Sequence, residues 1–140
     1  MPGVEPQLSE RLTHEHRELD ELFGRFLAAS TAGDLQKALR AARAFDEALR
    51  RHTAEEEDIA IPAPDGRRLV PSETDDPAQT LHRELRLEHV QVRELSAMIR
   101  RLLEEKGDLE GARRLAPNLA RRWDAHTTRE ERELFRERSG

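Results

Sequence analysis

Apolar residues recur at steps of three and four along four stretches of the chain, the spacing that gives a helix one buried face. The first stretch reads Leu8, Leu12, Leu19, Leu22 and Phe26, with His16 filling the gap in its stripe. The second reads Leu35, Leu39, Ala42, Phe45 and Leu49, followed in phase by His52 and Glu56. The third reads Leu81, Leu85, His89, Val92, Ser96, Ile99 and Leu103. The fourth reads Ala112, Ala116, Leu119 and Trp123, then His126, Glu130 and Leu134. These patterns predict helices over about 7–31, 34–60, 77–105 and 109–137.

The ends of the stretches carry helix punctuation. Gly33 and Gly107 suit left-handed C-terminal caps, and Asp34 and Asp108 suit the N-caps that follow. Asp76-Pro77 is a cap with a first-turn proline. From Pro62 to Pro77, four prolines and Gly66 forbid a continuous helix, so 62–76 is predicted to link two hairpins. Pro117 is expected to kink the fourth helix or to start its main part after a short first turn. Two short loops and one longer linker predict an all-α fold, an up-down-up-down four-helix bundle forming one domain over 1–140.

The two hairpins are copies of one another. Glu15-His16 and His52-Thr-Ala-Glu-Glu56-Glu57 reappear as Glu88-His89 and His126-Thr-Thr-Arg-Glu130-Glu131. The step from His52 to His126 equals that from Glu56 to Glu130, and the step from His16 to His89 is shorter by a single position. Gly33-Asp34-Leu35 and Gly107-Asp108-Leu109 are related by the His52-to-His126 step, and so are Ile61 and Phe135. Two copies at so long a period indicate an internal duplication and not a solenoid.

Composition narrows the class. Apolar residues make up 36% of the chain and charged residues 38%, which suits long amphipathic helices with solvated outer faces. A formal charge of −5 gives no reason to expect nucleic acid, and the arginines of 40–51 alternate with apolar residues as on a solvated helix face. The absence of cysteine excludes disulfides, iron–sulfur ligation and thiolate catalysis by this chain. No apolar run approaches the roughly 20 residues needed to span a bilayer, and Met-Pro-Gly-Val-Glu-Pro has neither part of a signal peptide. A soluble cytoplasmic protein without a membrane partner is the expectation.

The duplicated residues carry the chemistry. Four of the six histidines and two glutamates sit on buried stripes, where polar groups cost free energy unless paired. In His-x-x-x-Glu the two side chains lie one turn apart on one helical face. Antiparallel packing brings the first halves of helices one and three level with the last halves of helices two and four, so all six residues converge. Four imidazoles and two bridging carboxylates are the ligand chemistry of a non-haem transition-metal site. They suffice for two iron ions, with room for an oxo or hydroxo bridge and a small exogenous ligand. Glu55, Glu57 and Glu131 read as solvated helix faces. Glu15 and Glu88 read equally as ligand supports or as surface residues. His14 reads as exposed, and His82, two turns before His89 on the same stripe, as core or rim packing sooner than as a further ligand.

The pattern Glu-His…His-x-x-x-Glu-Glu, twice over, resembles the hemerythrin-like, or HHE cation-binding, domain family, across about Leu8 to Arg136. Ile61-Pro62 and Leu134-Phe135 resemble the family's usual continuation, with Arg136 replacing the second proline. The resemblance implies a four-helix bundle around a carboxylate-bridged non-haem di-iron centre. Its metal ligands would be His16, His52, Glu56, His89, His126 and Glu130. Oxygen-carrying relatives have a fifth histidine one turn from the third-helix histidine, where this chain has Leu85 and Arg93 on either side of His89. The expected function is binding of O2 or another small oxidant or diatomic. The alternatives are a di-iron oxidoreductase acting on peroxide or nitric oxide, or donating iron for cluster repair, and a redox or iron sensor acting through partner contact. There is no tyrosine to act as ligand or radical.

Overall fold

The computed structural model describes residues 6–62 and 73–135. Four helices follow in order: α1 Pro6–Thr31, α2 Leu35–Ile59, α3 Pro77–Lys106 and α4 Leu109–Arg129. A π-helical segment, Glu130–Phe135, continues α4. Each helix packs on its neighbours, α1 on α2, α2 on α3, α3 on α4, and α4 back on α1. This is the all-α four-helix bundle that the apolar stripes predict. No helix among the described residues is long and apolar enough to cross a membrane.

The caps form where the sequence puts them. Gly33 and Gly107 adopt φ of 72° and 56°, the left-handed turn that ends α1 and α3. Asp34 accepts from Lys37 N at 3.0 Å and Asp108 from Gly111 N at 2.8 Å. Asp76 and Gln79 form a reciprocal capping box, at 2.8 and 2.9 Å. α4 runs through Pro117, whose ring lies exposed on the outer face. Of the expected linker, only Pro62 and residues 73–76 are among the described residues, and Arg136 lies outside them.

The fourth helix departs from expectation at its end. A regular α-helix to 137 gives way to the wider π-helical turn after Arg129. The end of α2 has the same tendency, since Glu56 O accepts from both Ala60 N and Ile61 N at 2.8 Å, the latter a five-residue step. Nine residues of α-helix would turn Phe135 about half a revolution from His126. The π-helical turn instead buries both Leu134 and Phe135.

Two apolar clusters fill the bundle. The larger contains Leu19, Phe26, Phe45, Leu49, Val92, Leu119 and Trp123. The smaller contains Leu12, Ala60, Ile61, Leu85, Leu134 and Phe135. His16 meets both, with Trp123 edge-on at 5.5 Å and Phe135 stacked at 5.7 Å between ring centres. The polar residues of the duplicated pattern lie at that junction.

Candidate metal centre

Each helix of the bundle delivers one imidazole to a common point: His16 from α1, His52 from α2, His89 from α3 and His126 from α4. α2 adds Glu56, and the first residue of the π-helical segment adds Glu130. All six are at most 4% exposed. They form two overlapping groups, His16–His52–Glu56–Glu130 and Glu56–His89–His126–Glu130, each with ligand atoms within 4.8 Å of one another. The two glutamates are common to both groups. The structure thus brings together all six residues that the sequence pattern singles out.

The imidazoles point inward through Nε2. His52 Nε2 lies 2.9 Å and His16 Nε2 3.3 Å from Glu56 Oε2, and His89 Nε2 lies 2.9 Å from Glu56 Oε1. His16 and His126 Nε2 each approach a Glu130 oxygen to 3.1 Å. Several of these approaches are at angles that make no hydrogen bond. His52 Nε2, His126 Nε2 and both carboxylate oxygens of Glu130 have no hydrogen-bond partner. Buried orphan groups of this kind cost about 1–3 kcal/mol each. Imidazole and carboxylate atoms left unpaired and aimed at one point fit a transition-metal cation.

The outward nitrogens are all engaged. His52 Nδ1 lies 2.7 Å from Glu15, His89 Nδ1 2.8 Å from Glu57, His126 Nδ1 2.7 Å from Glu88, and His16 Nδ1 2.9 Å from Glu131. An ionised carboxylate only accepts, so each Nδ1 carries the proton and donates it. A ring that gives up its Nε2 proton to a bound cation would then present its Nε2 lone pair to the centre. The four contacts close a circuit, with α1 holding a ring of α2, α2 one of α3, α3 one of α4, and the π-helical segment one of α1.

Glu57 and Glu131 therefore differ from the expected solvated faces. The second glutamate of each pair points about 100° from the first, which here aims it at the neighbouring helix. Glu15 and Glu88 take the supporting alternative, and only the flanking Glu-His and Glu-Glu dipeptides signalled this in the sequence. Arg93 holds Glu57 at 2.9 Å and Arg129 holds Glu88 at 2.9 Å, contacts the sequence reading missed. His14 is exposed beside Glu18. His82 is half-buried and belongs to neither group.

Electrostatics show what the centre demands. Burial and the charge of Glu130 would raise the Glu56 carboxyl, but His16, His52 and His89 outweigh both and lower it. Glu130 is held well below the carboxylate range, with burial opposed by His126, His16 and His89. Burial would lower His16, yet Glu130, Glu131 and Glu56 raise it to about 11. His89 and His126 are raised by the same kind of contact against the same burial. Two buried carboxylates call for positive charge between them, and without a cation the protein meets that demand with imidazolium.

The family model described as hemerythrin HHE cation binding domain matches residues 7–137. The chain belongs to the hemerythrin family. No curated protein and no solved structure matches it. For a hemerythrin-family bundle, the buried histidine–glutamate centre is the candidate metal site. Trp123 lines its wall, with its ring 5.5 Å from His16, 6.2 Å from His52 and 5.9 Å from His126. Its indole N–H is fixed outside the site by Asp20 at 2.9 Å.

Proposed function

We propose that this hemerythrin-family protein holds two iron ions, one with His16 and His52 and the other with His89 and His126, sharing Glu56 and Glu130. The observation that supports the reading is the pair of overlapping buried groups, with four inward nitrogens around two carboxylates. Bound iron would supply the reversible redox chemistry and small-molecule affinity that imidazole and carboxylate lack. The ligand in this reading is O2 or another small oxidant or diatomic.

The chain's own residues set the conditions. Glu15, Glu57, Glu88 and Glu131 fix the ring orientations and make each Nε2 a stronger donor. The apolar cluster of Leu12, Ile61, Leu85, Leu134 and Phe135 adjoins the centre through Phe135, which stacks on His16, and apolar surface there favours a small, weakly polar ligand over water. Leu85 is fully buried in that layer, one turn before His89. Its position in place of an imidazole keeps the histidine count at four.

Anaerobic reconstitution followed by metal analysis is expected to give two irons per chain, and one or fewer would sink the dinuclear reading. Absorption spectra of the iron-loaded protein with O2, azide, peroxide and nitric oxide then separate the roles. Reversible cycling supports carriage, and sustained consumption of peroxide or nitric oxide supports an oxidoreductase. Assembly that changes with metal loading supports a sensor.

A further inference from the structure

The internal duplication allows the two halves of the centre to be compared position by position, and their supports differ. In the His89–His126 half both supporting carboxylates are anchored by arginine. Glu57 is held by Arg93 at 2.9 Å and approached by Arg86 at 3.6 Å. Glu88 accepts from Arg129 at 2.9 Å, and the same guanidinium also holds Glu84 and Glu133. In the His16–His52 half no arginine pairs with Glu131 among the described residues, and Arg11 reaches Glu15 only at 3.9 Å. Arg11 is committed instead to Glu55 at 3.0 Å.

The sequence explains the difference. The step that takes His89 back to His16 takes Arg93 to Asp20 and Arg86 to Thr13. The step that takes His126 back to His52 takes Arg129 to Glu55. Two of the three anchoring positions thus have the opposite charge in the first half. Asp20 is spent on the Trp123 indole. Exposure follows for one of the two pairs: the Glu131 side chain is 41% exposed against 20% for its counterpart Glu57, whereas Glu15 at 27% matches Glu88 at 28%.

A second feature lies on the same side. A groove of about 330 Å³ between α1 and α2 is lined by Glu15, Glu18, His52, Glu55 and Arg51. It reaches from solvent to His52 and its supporting carboxylate, and three glutamates against one arginine give it a net attraction for cations.

We infer that the two halves hold metal unequally, and that the His16–His52 half is the one that exchanges its ion with solvent, through the groove between α1 and α2. A metal leaves when its ligands swing away one at a time. A histidine whose supporting carboxylate is pinned by arginine resists that motion; His16 rests on the half-exposed Glu131, with no arginine on it among the described residues, and His52 rests on Glu15, which Arg11 reaches only at 3.9 Å. This inference rests on the dinuclear reading above.

The test follows metal release from the fully loaded protein into excess chelator under anaerobic conditions. Release is expected in two phases of equal amplitude, separated by roughly tenfold in rate, the scale of outer supports on metal affinity. Crystals loaded with one equivalent of cobalt(II), read by anomalous scattering, are expected to show it in the His89–His126 half. Arg129→Met should speed the slow phase and spare the fast one. Arg11→Glu combined with Glu55→Arg copies the Glu84–Arg129 pair into the first half and should slow the fast phase. A single release phase, cobalt in the His16–His52 half, or a fast phase untouched by the charge swap would each overturn the inference while leaving two metals bound. Failure to bind two metals is a separate result and would overturn the dinuclear reading itself.

Discussion

Consecutive residues point about 100° apart on an α-helix and somewhat less on the wider π-helical turn, and the two Glu-Glu pairs use that offset to divide their work. Glu56 and Glu130 face the centre, whereas Glu57 and Glu131 hold the outer nitrogens of His89 and His16. Replacing Glu56 or Glu130 with Ala is expected to abolish dinuclear loading in a calorimetric titration. Glu57→Ala should only weaken affinity, by about 10- to 100-fold; equal losses from both members of a pair would contradict this division. A pH dependence follows for the metal-free protein. His16 has a folded pKa of about 11 against 6.5, so its contribution to stability is complete below pH 6.5 and is lost as the pH rises to 11. Glu57 is held at about 2 against 4.5: burial would raise it, but His89 and Arg93 outweigh that. Its contribution is complete above pH 4.5 and is lost as the pH falls to 2. Thermal melts of chelated protein should therefore be highest between about pH 4.5 and 6.5. Metal affinity should rise with pH over the alkaline arm, because bound metal displaces the Nε2 protons.

At the scale of elements, the register of each helix was legible because its ligand-type residues fall in phase with its apolar stripe. The caps at Asp34, Asp76 and Asp108 were legible because cap chemistry is local. The π-helical segment was not, since a pattern tested at 3.6 residues per turn has no term for a wider one. The sequence did hold a trace of it in the matched pair Ile61 and Phe135, which a regular α-helix places on the wrong side. Nor were the anchors of the supporting glutamates legible: Arg93 and Arg129 read as ordinary charged helix positions until the neighbouring helix is in place. The π-helical segment has a structural load, because Phe135 is 5% exposed and stacks on His16. Phe135→Ala should cost about 3–5 kcal/mol in urea unfolding of the metal-free protein. It should also lower metal affinity, since the segment that carries Glu130 and Glu131 loses its apolar anchor. Lost stability with unchanged affinity would show that the segment holds its two glutamates without that ring.

For the whole molecule, the centre is where all four helices meet through polar groups. α1, α2 and α3 each contribute a ring and a support for a neighbour's ring, α4 contributes the His126 ring, and the π-helical segment contributes a carboxylate and a support. The closed circuit of Glu15, Glu57, Glu88 and Glu131 ties α1 to α2, α2 to α3, α3 to α4, and the π-helical segment back to α1. Removing metal leaves this polar layer with unpaired buried atoms on Glu130, His52 and His126. It also removes a ligand that binds only the folded bundle. Mass action makes that ligand worth about 4 kcal/mol when it is present at 1,000 times its dissociation constant, which for a chain of this length corresponds to a melting shift on the order of 10 °C. The expected outcome is a chelator-induced fall of that size, reversed by iron. The chain's only tryptophan reports the same event from inside the site, because Trp123 lies stacked on His126 at 5.9 Å between ring centres. Its fluorescence should be quenched as metal is added and recover on chelation, in step with the melting temperature. A melting temperature unmoved by chelation while the fluorescence responds would mean that imidazolium–carboxylate pairing alone satisfies the layer, and that metal adds function without adding stability.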